Sequence, residues 1–191
     1  PGVEGLSDFW GTKVLHCAYC HGFEARDSEI VVVGTSPMAA HQALMFSQLS
    51  KTVSLVGTID IDEQTSERLD SAGVKVLGTN AVRVSAEVDG LSVELSEGDH
   101  LSCDNIVVAS RPLVDGTLYT QLGGQMEENP MGRFIPGTQT GRTPIEGVWA
   151  AGNAQAPMAM VYGSAAQGVM AGAEINFDLI LEDISVASAQ S

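Results

Sequence analysis

The chain has 191 residues, with 24 acidic against 9 basic side chains and a formal charge of −15; 44% of its residues are hydrophobic and 17% charged. That apolar content excludes a disordered acidic tail, and the length gives one full domain or two small ones with a real core. No run of Lys or Arg offsets the negative balance, which argues against nucleic acid or an anionic membrane as partner. A phosphate-bearing cofactor would have to be held by backbone N–H groups and helix ends.

The first clear element is the β-branched run Glu29 to Gly34, whose unbroken apolar character suits a central parallel strand. Pro37 to Leu49 reads as an amphipathic helix with Met38, Leu44, Met45 and Leu49 on its apolar side, and Thr52 to Val56 as a second strand. Strand, helix and strand make a βαβ unit. Ile61 to Ala72 reads as an acidic helix stopped by Gly73, followed by a strand at Val74 to Leu77.

The pattern then changes to short alternating strands at Ala81 to Val88 and Leu91 to Leu95, then Asn105 to Ala109. Asp89-Gly90 predicts a hairpin in which Gly supplies a positive φ. Residues 112–145 show little periodicity and read as a connection between domains. Gly147 to Gly152 reads as an apolar strand, about Ser164 to Leu181 as a helix, and Ser185 to Ser191 as a frayed polar tail.

The first ten residues carry neither a basic nor an apolar signal-peptide region, and cytoplasmic is the default expectation. The uncharged stretch Gly147 to Ala173 is long enough for a membrane span, but its Gly, Ala, Asn and Gln content predicts a buried, ligand-facing segment instead.

The densest chemistry is His16-Cys17-Ala18-Tyr19-Cys20-His21. Two thiols three positions apart can close into a disulfide and reopen, one attacking a substrate disulfide and the other resolving the mixed disulfide. A flanking imidazole can take or return the proton. The alternatives are half of a zinc site, for which Cys103 is the only further cysteine, and a pair of inert thiols. No metal is expected.

Gly34-Thr-Ser-Pro-Met-Ala39 stands in the place of a dinucleotide-binding turn, making Gly34, Thr35, Ser36 and Met38 candidate cofactor contacts. Ser36 stands where the second Gly of the fingerprint belongs, Pro37 lacks an N–H, and Gly57 to Asp60 offers no Arg for a 2′-phosphate. NAD(P)H is therefore doubtful, NADPH especially. His41 and His100 read as exposed residues, the latter in a turn, and Trp10, Trp149 and Tyr162 as packing residues.

Three motifs in order carry a resemblance: His-Cys-x-Tyr-Cys-His-Gly-Phe-Glu at His16 to Glu24, Val-Val-Gly-x-x-Pro-Met-Ala ending at Ala39, and Gly-Val-Trp-Ala-Ala-Gly-Asn at Gly147 to Asn153. The chain resembles the low-molecular-weight thioredoxin reductases, nearest to relatives that include the FAD-dependent dithiol oxidases. The resemblance implies an α/β fold: a Rossmann-like βαβ domain with a β-meander, plus the C-terminal part of an FAD-binding domain. It implies a linker at residues 1–11, an inserted NAD(P)-type domain at 12–112 and the second FAD half at 113–191.

It also implies that Cys17 and Cys20 form the redox disulfide, with Cys17 exchanging with substrate and Cys20 nearer the flavin. His21 stands where the reductases carry an acid–base Asp, which moves the expectation toward dithiol oxidases. Gly152 and Asn153 would contact FAD, with Ala159, Met160 and Val161 near its ring. The expected partners are a dithiol or disulfide substrate and a second copy in a homodimer. Pro1 and the lack of a first Gly-rich FAD turn predict an N-terminally truncated chain, and a non-enzymatic remnant is the alternative from another class.

Overall fold

The computed structural model describes residues 2–109 and 113–189. The chain forms two units, Pro1–Ser110 and Arg111–Ser191.

The first unit is α/β. Strands β1 (Val14–Leu15), β2 (Ile30–Val33), β3 (Val53–Val56), β4 (Lys75–Leu77) and β8 (Asn105–Val108) make a parallel sheet in the order β1-β8-β2-β3-β4. Strands β5 (Ala81–Ala86), β6 (Leu91–Leu95) and β7 (His100–Cys103) make an antiparallel meander. Alternation along each parallel strand divides the core. Ile30, Val32, Leu55 and Val107 face helices α2 (Met38–Ser47) and α3 (Glu63–Ser71), while Val31, Val33, Val56 and Val108 face the meander through Val84, Leu91 and Val93. Both faces of the sheet are covered, which is why β2 shows no polar alternation.

The face of α2 differs from the expectation. Ala39, Ala40, Ala43 and Phe46 are buried, whereas Met38 is exposed and Leu44 and Met45 are half-buried. Small alanines let the helix lie close to the sheet, so the larger apolar residues are left at its flanks. Helix α3 begins at Asp62, whose Oδ1 accepts from the Thr65 N–H at 2.9 Å, and ends before Gly73 at φ 72°.

The hairpin at Asp89-Gly90 is present, but Gly90 does not adopt a positive φ. Glycine is needed there because a Cβ would meet the Cys103 carbonyl oxygen at 2.6 Å. His100 opens strand β7 rather than lying in a turn, although it is exposed as expected. Residues ahead of β1 join the same unit: Glu4 donates to Val82 and accepts from Val84, and Leu6 is buried in the meander-side core.

In the second unit, residues 113–145 of the expected connection carry more order than their periodicity suggests. They hold helix α4 (Thr117–Gln121), which buries Tyr119, and a hairpin of β9 (Glu127–Asn129) and β10 (Gly132–Phe134). Asp115 Oδ1 accepts from Thr117 N–H at 3.0 Å to start α4, and Asn129 Oδ1 accepts from Met131 N–H at 2.8 Å to set the hairpin turn. Gly147 to Gly152 is not a strand: its single bridge joins Trp149 to Arg142, and extended residues without a ladder remain a loop.

Helix α5 (Val161–Ala189) is longer than predicted and includes the residues expected to fray, as far as Ala189. The stretch Gly147 to Ala173 is not a buried segment either. Within this unit α5 packs chiefly on the short turn Gly152–Ala154, so only Ala171 of its residues is buried. Among the described residues no helix is long and apolar enough to cross a membrane.

Candidate functional site

The parallel sheet puts the carboxyl ends of its strands on one edge, where α/β folds bind ligands. Strand β1 ends at Leu15 and delivers His16 and Cys17; β2 ends at Val33 and delivers Gly34 to Met38. The dithiol segment and the expected nucleotide turn therefore lie along the same edge of one unit.

Cys17 is the extended residue capping a single helical turn, α1 (Ala18–His21), and its carbonyl accepts from the N–H groups of Cys20 and His21 at 3.3 and 3.2 Å. That turn brings both thiols to one side. Cys17 is half-buried, Cys20 is exposed, and both are free thiols. Gly22 closes the turn: a Cβ there would meet Leu49 Cδ1 at 2.5 Å, so α1 sits directly on the end of α2. The Cys20 thiol is pushed up from its ordinary range, first by its hydrogen bond with Cys17, then by burial and by the charge of Cys17.

His21 is exposed at the end of α1. Two neighbours were not assigned to the site by sequence. Trp10 is half-exposed and stacks on His16 rather than packing in a core, and Gln42 of α2 donates to the His16 carbonyl at 2.7 Å. Tyr19 and Phe23 are also exposed, at 79% and 69%. Cys103 stands apart, buried in the meander-side core with its thiol pushed up to about 12, chiefly by burial. Among the described residues no group of three His, Cys, Asp or Glu side chains could hold a metal ion.

The turn after β2 is tight. Gly34 N–H donates to Val56 O at 2.7 Å, and a Cβ on Gly57 would meet Gly34 O at the same distance. Pro37 caps α2 without an N–H, and the N–H groups of Ala39 and Ala40 donate to the Ser36 and Pro37 carbonyls. Thr35 is exposed and Ser36 half-buried. Few donors are left for a pyrophosphate.

In the second unit, Gly152 has φ 64° and opens a 3-10 turn, Gly152–Ala154. A Cβ on Gly152 would meet Ser164 Cβ at 3.2 Å, Ser164 Oγ is buried without a partner, and Gln167 Oε1 accepts from the Gly152 N–H at 2.9 Å. Asn153 Nδ2 donates to the carbonyls of Pro157 and Ala159 at 2.8 and 3.1 Å, shaping the loop that leads through Met160 to Val161 and α5. Tyr162 is exposed rather than packed. Arg142 donates to Glu174 and Asp178 at 2.9 and 2.6 Å and lies over the Trp149 ring.

Residues 1–173 match the family model described as pyridine nucleotide-disulphide oxidoreductase. The chain is 27% identical to thioredoxin reductase sirT of Leptosphaeria maculans, covering 100% of this chain and 63% of that protein. It is 30% identical to a thioredoxin reductase of Gibberella zeae, covering 91% and 60%. The crystal structure of HlmI superposes with a TM-score of 0.87 at 34% identity over 100% of this chain and 59% of its own. An Agrobacterium tumefaciens oxidoreductase gives 0.83 at 28% identity, over 95% and 61%. The chain thus spans about three-fifths of the length of these relatives. Its dithiol turn at the edge of a Rossmann-like sheet and its Gly-Asn turn stand in the fold of that family, and the chain belongs to the pyridine nucleotide-disulphide oxidoreductases.

Proposed function

We propose that the protein is an FAD-dependent thiol–disulfide oxidoreductase in which Cys17 and Cys20 exchange electrons between a dithiol or disulfide substrate and flavin. The observation that carries this reading is the free Cys17/Cys20 pair on one helical turn, exposed at Cys20, in a member of this family. In this reading the Cys17 sulfur is the nucleophile toward a substrate disulfide. Its attack forms the mixed disulfide and releases one substrate thiolate. Cys20 then gives up its proton, attacks Cys17 and frees the second substrate thiolate, so two electrons leave the pair and the enzyme disulfide remains. In the oxidative direction each bond change runs in reverse. His21, at the end of the same turn, is an acid–base group for these protons.

The residues of the second unit fit FAD. The bare Cα of Gly152 lets Ser164 of α5 come close, and the buried Ser164 hydroxyl there is a polar group without a partner. Asn153 shapes the loop carrying Ala159, Met160 and Val161. When bound, flavin supplies a carrier for two electrons. A homodimer belongs to the same reading, with light scattering as its check.

The second reading is an O2-using dithiol oxidase independent of nicotinamide. Pro37 and the engaged N–H groups of Ala39 and Ala40 favour it. Anaerobic addition of NADPH or NADH to the intact flavoprotein separates the two: bleaching supports a reductase, and no bleaching supports the oxidase. For the dithiol itself, Cys17→Ser and Cys20→Ser abolish disulfide turnover, and retained turnover overturns the assignment.

A further inference from the structure

The Trp10 indole and the His16 imidazole lie stacked, with ring centroids 5.9 Å apart and planes 12° from parallel. His16 meets the His21 ring edge-on at 6.4 Å. Two ring contacts thus join Trp10 through His16 to the histidine that closes α1.

The backbone holds both ends of the stack. Gly11 at φ 76° turns the chain, its N–H donates to Val14 O at 3.0 Å, and a bridge joins Trp10 to Val14. Thr12 Oγ1 closes the same turn onto Phe9 O at 2.9 Å. On the other side, the His16 carbonyl accepts from Gln42. Trp10 is 50% exposed, so core burial does not account for its place.

We propose that Trp10 is a positioning residue for the dithiol: its indole holds the His16 imidazole beside the turn carrying Cys17 and Cys20, where the imidazole accepts protons from the thiols. This inference rests on the redox reading of that pair. The step is a proton transfer, in which a thiol S–H bond breaks, an imidazole N–H bond forms and the sulfur becomes the reactive thiolate. An unstacked imidazole rotates freely and spends less time in reach. Loss of the stack therefore slows thiolate chemistry without removing any group that reacts.

The test is a double-mutant cycle on the reduced, intact protein, reading the rate of iodoacetamide alkylation at Cys17 and Cys20 by peptide mass mapping. Trp10→Leu slows alkylation by about threefold to tenfold, the factor that one aromatic stack is worth. In a His16→Ala background the same substitution has no further effect, and Trp10→Phe, which keeps a ring, restores the rate to near wild type. Trp10→Gln is the second ring-less variant should the leucine form fail to fold. Equal slowing in both backgrounds, or a Phe variant as slow as the Leu variant, overturns the inference. The readout is thiol reactivity rather than turnover, so the two readings fail separately. Coupled alkylation in a protein that turns over no dithiol supports the stack and sinks the redox assignment.

Discussion

Gln42 Nε2 donates to the main-chain carbonyl of His16 across 2.7 Å, tying helix α2 to the residue that precedes Cys17. The Oε1 of the same amide is buried without a partner, so the side chain is held there by its donor.

The two ends of that amide predict different outcomes. Gln42→Leu removes the bond and the unpaired oxygen together, and costs about 1 kcal/mol or less. Gln42→Glu sets a carboxylate against the carbonyl and costs about 1–3 kcal/mol. Urea unfolding at pH 7 checks the order, and a Glu variant as stable as the Leu variant contradicts it.

Cys103 is expected to be chemically silent. Its thiol lies in the meander-side core and is pushed up to about 12 by burial and by the nearby charges of Asp104 and Glu29. In the native reduced protein iodoacetamide therefore labels Cys17 and Cys20, and Cys103 only in urea. Because the folded value lies above that of an unfolded thiol, Cys103 draws stability from the protein only as pH rises above about 8.5.

At the acid end, Asp62 is held below the usual carboxylate range by the Thr65 hydroxyl and the Thr65 N–H. A depressed folded pKa gives stability that is present above the unfolded value of about 3.9 and is lost as pH falls through the folded one. Asp62→Asn keeps an acceptor for the cap but removes the charge. Its melting temperature should show a shallower fall than wild type between about pH 5 and 2, and parallel curves would refute the contribution.

Arg142 joins two carboxylates one helical turn apart, Glu174 and Asp178, while lying over Trp149. A lysine has one ammonium and no planar fork, so it cannot serve all three. Arg142→Lys and Arg142→Ala should both lower the melting temperature by a few degrees and speed amide exchange at Thr143 and Ala150, whose N–H groups donate to Val148 O and Gly141 O. A lysine variant with wild-type exchange would show that the fork is not needed.

Much of this was legible in the sequence because periodicity and chemistry pointed the same way. The run Ile30 to Val33 is buried on both faces, Gly73 ends α3 with a positive φ, and Cys17 and Cys20 share one turn at the edge of the parallel sheet. What was missed rests on side-chain hydrogen bonds and packing rather than period. Helix α4 and the β9–β10 hairpin are too short to show periodicity, and their signals are the caps of Asp115 and Asn129. The face of α2 is set by alanines that look neutral in sequence. Trp10 reads as a core residue by type, and only the turn at Gly11 reveals that it faces an imidazole.

The central claim is that electrons pass between substrate and flavin through Cys17 and Cys20. The most direct measurement is the visible flavin absorbance of the intact protein under argon as a dithiol such as dithiothreitol is added, in wild type and in Cys20→Ser. Bleaching in wild type and its loss in Cys20→Ser is the predicted result; equal bleaching in both would contradict the claim.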